Sequence, residues 1–464
     1  MLTRRHLFAL AAISLLIAGV GCSGRDTTDL EEARATIDPV VFDDAFSADV
    51  YNQPFFETNY VAVQIDSVYA YEGFAPDGAR SLKFNVAPQG SALGLYTGGV
   101  FTSSGIRDLA DFNALTFYAR ANLPISLDLA GFGNDNTGNS QYEAGRNAIP
   151  LTTEWTFVII PIPAPSKLIA ERGLFTYAEG LDALYPEGYN IWIDQIQYAK
   201  LGNIETPRPL MPSGNKQYFV GSTASLSGTR TIFTVDGAFI QVNHSPNYFD
   251  FISSDPAVAI AENGEIKIIG AGATTITATE EGVEATGRVV ITAYEPPATP
   301  AATPTVPAAN VISMFSGAYV NVPVDKWNTQ WGGSTAQVQD YTVQGNDTKM
   351  YSGLNFVGIE FLNPMINASA MTHFHMDVFA PAGTNFKIKL VSFPNSLPGS
   401  IESQDLVLDG TTVPAFAAGS WSSLEIPLEN FVLPEGWDWS HIGQLVLSTT
   451  NASLVLLDNI YWHK

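Results

Sequence analysis

The chain has 464 residues, 46% hydrophobic and 11% aromatic, enough for several buried cores and, at the usual domain size, about three domains. Lys and Arg number 22 against 46 Asp and Glu, a formal charge of −24, yet charged residues make up only 15% of the chain. A surface so poor in cations excludes nucleic acid and anionic polymers as long-range partners and leaves neutral ligands open.

The first element is a targeting segment. Arg4 and Arg5 precede the apolar run LFALAAISLLIAGVG, and then comes Cys22. That order is a charged region, an apolar region and small residues at a cleavage point. The run is short of the ~20 residues that a spanning helix needs. Cys22 is the single cysteine. Its place predicts lipidation after cleavage, although Gly19 stands where bacterial lipoproteins usually have Leu. Localisation is therefore expected to be exported and lipid-anchored to a bacterial membrane, at the cell surface. With Cys22 tethered, neither a disulfide nor a thiolate metal site can form.

Residues 23–38 are polar and acidic and predict a tether, with a helical stretch at DLEEARATID. The remainder alternates as short strands with frequent Gly and Pro, which predicts an all-β chain. One break falls near ETPRPLMPSGNK. A second is EPPATPAATPTVPAA, an extended, semi-rigid composition that builds no core. The expected domains are 39–208, 209–294 and 310–464, with 295–309 as a Pro-rich linker acting as a hinge.

The outer blocks share a plan. Each opens on an aromatic-rich strand (VFDDAFSADVY, VISMFSGAYVNV) and has a central alternating strand (ALTFYARAN, MTHFHMDVFAP). Each then has a Trp-led strand ending in Ile-Pro (EWTFVIIPIP, SWSSLEIPL) and an Asp in an apolar closing strand (YNIWIDQIQYA, LVLLDNIYWHK). Strand number and length predict two jelly-roll sandwiches. The middle block, with turns at Asp255-Pro256, Asn263-Gly264 and Gly270–Gly272, fits a small Ig-like sandwich.

The run SSDPAVAIAENGEIKIIGAGATTITA resembles the group 2 bacterial Ig-like domains, which implies a spacer or adhesion module. The outer blocks resemble carbohydrate-binding modules of the galactose-binding-like jelly-roll type. For residues 310–464 the resemblance is to modules appended to laminarinase-type β-glucanases, through WNTQWGG, KMYSGLNFVGIEF, GSWSSLEIPL and VLLDNIYWHK. For the first block it is to a companion module, through RDLADFNALTFYARAN, AGFGND and YNIWIDQIQY. The resemblance implies glycan recognition, with a glucanase or sugar importer as neighbouring partners.

Sugar rings need flat aromatics to stack on, plus amides and carboxylates for their hydroxyls. In ALTFYAR, period-two alternation puts Leu115, Phe117 and Ala119 on one face and Thr116, Tyr118 and Arg120 on the other. Tyr118 and Arg120 are the outward candidates. The loop GFGNDNTGNSQYEAGR adds Phe132, Asn134, Asp135, Tyr142 and Arg146, and GLFTYAEG adds Phe175, Tyr177 and Glu179. In the last block the candidates are Trp327 and Trp331, with His373, His375 and Asp377 on one face of a strand. That face reads as a polar ligand surface, a structural polar ladder or a transition-metal set. Gln330, Asn355, Trp437 and Trp439 are weaker candidates.

Asp194 and Asp458 lie in apolar strands, where a carboxylate must be paired or bound to a cation. The resemblance implies a structural Ca2+ at such an Asp, with oxygens of the first strand. Asp43 or Asp44 is the expected partner in one copy and the backbone near Ser316 in the other, where Gly317 replaces an Asp common in related modules. The alternative is an Asp that caps backbone amides.

The laminarinase pattern E-x-D-x-x-E is absent, as are H-E-x-x-H, G-x-S-x-G and a P-loop. The expectation is a non-catalytic surface lipoprotein binding an extracellular polysaccharide, a neutral β-glucan foremost. Two alternatives stay open. One is an adhesin or matrix protein. The other is a glycoside hydrolase or lyase with an unrecognised carboxylate pair such as Asp135 and Glu143.

Overall fold

A computed structural model describes residues 35, 37–55, 63–67, 80–262, 264–394 and 399–464. Cys22, the targeting segment and most of the tether, including most of the expected helical stretch, lie outside the described residues. Among these residues the only helices are short 3-10 turns, and no helix is long and apolar enough to cross a membrane.

The first sandwich packs two sheets. Its rear sheet is built around Ala114–Ala121 and Tyr189–Ala199, with Thr156–Pro161, Ser81–Val86 and Val40–Asp43 beside them. Its front sheet is built around Ile125–Phe132 and Glu171–Gly180, with Tyr96–Arg107 and Ala144–Leu151 as neighbours. The alternation in Ala114–Ala121 explains the packing. Leu115, Phe117 and Ala119 are fully buried between the sheets, while Tyr118 and Arg120 stay half-exposed on the outer face.

The last sandwich repeats the plan. Its rear sheet centres on His373–Phe379 and Val455–His463, and its front sheet on Phe356–Glu360, Ile442–Ser448 and Asn385–Ser392. The copies share details at their closing strands. Asp194 faces Tyr118 across the sheet as Asp458 faces Asp377. Each Asp precedes a residue in the left-handed region, Gln195 at φ 49° and Asn459 at φ 50°. Each accepts the backbone N–H of that next residue, at 2.8 and 2.7 Å.

The expected break near residue 208 is not where the first sandwich ends. The hairpin Arg230–Val235 and Ala238–His244 pairs with Ala144 and Gly145 and so widens the front sheet. Phe233, Val235 and Val242 enter the first core. The rest of the middle block forms two small sheets of five and three strands around Ile266, Ile276 and Ile291. That core is continuous with Met350, Phe379 and Leu456 of the last sandwich.

The Pro-rich linker forms no strand over 295–307, as its composition requires. It is not a free hinge. Trp421 Nε1 donates to Thr299 O at 2.9 Å, Gln344 Nε2 to Ala298 O at 2.5 Å, Asn459 Nδ2 to Ala302 O at 3.1 Å and Tyr319 OH to Val306 O at 2.9 Å. These bonds strap the linker across the outer rear face of the last sandwich.

Candidate functional site

The strap corrects one expectation. His373, His375 and Asp377 do share a face, and Phe374, Met376 and Val378 fill the core behind it. That face is covered. Asn459 Nδ2 bonds both Asp377 Oδ2 at 2.8 Å and the strap's Ala302 O. His375 stacks on Tyr461 with ring centres 4.5 Å apart and shares a proton with Glu425 at 2.7 Å. His375 and Asp377 are therefore a structural ladder, while His373 stays half-exposed at the edge.

The two indoles separate as well. Trp327 packs edge-on against Phe315, with centroids 5.6 Å apart, and Lys349 Nζ sits 4.9 Å over its ring. It wraps the core edge. With Gln330 and Lys326 it also borders a cavity of about 980 Å³ between the middle block and the last sandwich. Trp331 is 37% exposed and lies on the outer front face. A local turn puts it there. Asn328 Oδ1 accepts Gln330 N at 2.8 Å, and Gln330 is left-handed at φ 54°. Asn355 is a support, since its amide bonds Thr335 N, Phe356 N and Gly333 O and so holds the loop that follows Trp331. Trp437 and Trp439 pack edge-to-face on each other at the core periphery.

Beneath Trp331 is Gly358. A Cβ on Gly358 would lie 2.6 Å from the Trp331 indole, so the absence of a side chain is what lets the ring rest on the sheet. Residues paired across antiparallel strands share a face. Val446 and Lys389 therefore continue the row from Gly358, and Gln444 lies beside Glu360. Gln444 Nε2 donates to Glu360 Oε2 at 3.0 Å, and Lys326 Nζ approaches Glu360 Oε1 at 3.4 Å.

The first sandwich carries the same device on its front face. A Cβ on Gly98 would lie 2.6 Å from the Tyr96 ring, and Tyr96 is 36% exposed. The floor of that face is small: Gly98 faces Ala178, and Val100, Thr176, Gly131 and Gly145 form the next row. Amides border it, with Asn243 Nδ2 donating to Asn147 Oδ1 at 2.8 Å. A cavity of about 370 Å³ opens over Gly131, Gly145 and Thr176, reaching Asn134, Glu143 and Asn243. Tyr96, Gly98, Gly358 and the hairpin amides were not found in the sequence. The available signal was a Gly at the centre of a strand two residues from, or across from, an aromatic.

The other expected residues do not form one surface. Tyr118 and Arg120 are on the rear sheet, where Tyr118 packs on Phe157 at 4.9 Å and Arg120 lies 5.8 Å from the Trp192 ring and 6.0 Å from that of Trp155. Asn134, Asp135 and Tyr142 are in the loop at the front. Tyr177 is core, 2% exposed, between Phe84 and Phe101. Phe132 and Phe175 are core too, and Glu179 is buried, bonded to the Tyr189 hydroxyl and to Asp128 N. Arg146 turns inward and donates to Ile159 O at 2.8 Å, closing the sandwich edge. Tyr177 and Arg146 therefore leave the candidate set.

Asp135 organises its loop by accepting Thr137 Oγ1 at 2.6 Å and Ser140 Oγ at 2.7 Å. Nearby Glu171 is buried, and burial together with the Asp135 charge pushes its carboxyl up to about 7. Burial and Asp135 raise Glu143 as well. Asp135 and Glu171 line a cavity of about 600 Å³ with Tyr142.

The buried Asp pair differs between the copies. Among the described residues Asp194 Oδ2 is buried with no hydrogen-bond partner. Burial, with Asp44 and Asp43 nearby, pushes this carboxyl up to about 6. In the second copy Asn346 Nδ2 donates to Asp458 Oδ2 at 2.6 Å, and Ser316 Oγ caps Asn459 at 2.7 Å. That amide satisfies Asp458 Oδ2 without a cation, though burial with Asp377 and Asp347 nearby still pushes Asp458 up to about 6; the orphaned oxygen of Asp194 is the better fit to Ca2+.

No protein-family model and no curated protein matches the sequence. Among solved structures, the family 11 carbohydrate-binding module of a cellulosomal cellulase of Clostridium thermocellum is 16% identical over 31% of this chain and 96% of its own, at a TM-score of 0.23. The family 30 module of a second cellulosomal cellulase of that organism is 16% identical over 36% of this chain and 96% of its own, at 0.25. A β-1,2-glucanase from Parabacteroides distasonis is 14% identical over 56% of this chain and 40% of its own, at 0.24.

Proposed function

We propose that this chain is a non-catalytic polysaccharide-binding protein, exported and lipid-anchored through Cys22, with a neutral β-glucan as the favoured ligand. The observation that carries the reading is the repeated front-face device. In each sandwich an exposed ring lies over a strand glycine, on a front face that also carries amides or a carboxylate. Such a platform offers a flat apolar face to a sugar ring and hydrogen-bonding groups to its hydroxyls. The chain as a whole is strongly acidic, at a formal charge of −24, which disfavours anionic polymers at long range. Two faces on one chain add through effective concentration when one polymer reaches both. Isothermal titration against neutral and charged glycans tests the reading. Heat with a neutral glucan that weakens in Trp331→Ala and is lost when Tyr96→Ala is added supports it, and heat only with acidic polymers or with none refutes it.

Ca2+ at Asp194 would be structural. It would neutralise the repulsion among Asp194, Asp43 and Asp44 and satisfy Asp194 Oδ2, with backbone oxygens of the first strand completing a hard-oxygen set.

The catalytic reading has one observation in its favour. A buried carboxyl raised to about 7 (Glu171) beside Asp135 has the pKa expected of a general acid. A reducing-end assay on neutral glucans, with Glu171→Gln as control, separates it from binding alone.

A further inference from the structure

We infer that the edge of the rear sheet in the last sandwich is a transition-metal site formed by His373, His463 and Glu425. Among the described residues this is the one group of at least three His, Cys, Asp or Glu whose ligand atoms all lie within 4.8 Å of one another. Three adjacent strands supply it. His373 and His463 are directly opposed on neighbouring antiparallel strands, and their rings stack with centres 5.1 Å apart and planes 10° from parallel. Glu425 comes from the next strand, Trp421–Pro427.

The set is partly assembled. Glu425 Oε1 already contacts His463 Nε2. A tetrahedral ion with bonds of about 2.0–2.1 Å places neighbouring donors about 3.3 Å apart, so closure requires a small rotation of His373, which is half-exposed and can move. Supporting groups are in place too. Thr372 Oγ1 holds His373 Nδ1 at 2.8 Å, which leaves Nε2 as its ligand nitrogen. His375 Nδ1 holds the other oxygen of Glu425 at 2.7 Å. Such outer partners orient metal ligands and fix their tautomers. Two imidazoles and one carboxylate select Zn2+, Co2+ or Ni2+ over Ca2+, which takes oxygen donors. A fourth position remains for water. The site is chemically distinct from Asp194 and independent of the glycan faces.

The test uses the full chain freed of metal with chelator, then titrated with Zn2+ alone and with Co2+ alone. One equivalent of Zn2+ and a visible tetrahedral Co2+ spectrum are expected. Glu425→Gln, which keeps side-chain shape, and His463→Ala should each abolish the Co2+ spectrum. Thr372→Ala should weaken Zn2+ binding by about 10–100-fold, and His441→Ala should change nothing. Circular dichroism confirms that each variant is folded. Stoichiometric binding that persists in folded Glu425→Gln and His463→Ala, or no uptake by the native chain, overturns the inference.

Discussion

Adding one methyl group at Gly358 tests the platform without removing its ring. In Gly358→Ala the new Cβ meets the indole at 2.6 Å, against the ~3.5–4.0 Å of an ordinary carbon contact. The ring must lift by about 1 Å. A gap of that size forfeits a quarter to a half of each dispersion contact. With base–aromatic stacking, about 1–3 kcal/mol, as the reference, the loss is about 0.3–1.5 kcal/mol, or roughly two- to tenfold in Kd. Trp331→Ala removes the whole contact and should weaken binding by about tenfold or more. Stability should change little, because Gly358 has ordinary strand geometry and the two groups that its Cβ meets, the Trp331 indole and Thr329 Oγ1 at 2.7 Å, are side-chain ends that can shift. The assay is calorimetric titration with the tightest neutral glucan, paired with thermal melting. Unchanged affinity in both variants, at unchanged melting temperature, would show that Trp331 is not the sugar contact.

Other outcomes follow from the same geometry. Glu171 is pushed up to about 7 and Glu179 also to about 7 by burial, so between pH 4.5 and 7 the folded chain binds more protons than the unfolded one. Stability should then fall as pH rises through that window, by about 3 kcal/mol per group, and denaturant melts of Glu171→Gln should show a flatter slope; an identical slope refutes the assignment. Ca2+ should raise the melting temperature of the native chain but not of Asp194→Asn, while Asp458→Asn keeps the response; equal responses in all three contradict the reading of the two Asp sites. Asn459→Ala removes a residue suited to φ 50° and strands Asp377, Ser316 and the strap, at about 3 kcal/mol by urea unfolding. A cost under about 0.5 kcal/mol would mean that the strap is not held there.

Much of the fold is legible in the sequence because alternation states which residues share a face. Leu115, Phe117 and Ala119 behave as that rule requires, and so do Phe374, Met376 and Val378. Alternation does not say which face meets solvent. Tyr177 and Glu179 share a face as expected, but it is the core, where Glu179 is satisfied by Tyr189 and Asp128. His375 and Asp377 point outward and are then covered, His375 by Tyr461 and Asp377 by Asn459, which ties it to a linker some seventy residues earlier in the chain. The hairpin over 230–244 belongs to the first sandwich through pairing with Ala144 and Gly145, a contact between distant segments that no local pattern encodes. Gly98 and Gly358 carry meaning only once the rings above them are seen.

The most direct measurement is a glycan array probed with the native chain and with the double variant Tyr96→Ala, Trp331→Ala. The account predicts retention on at least one neutral polysaccharide by the native chain and loss of that signal in a folded double variant. Equal retention by both proteins, or none by the native chain on any glycan, would contradict it.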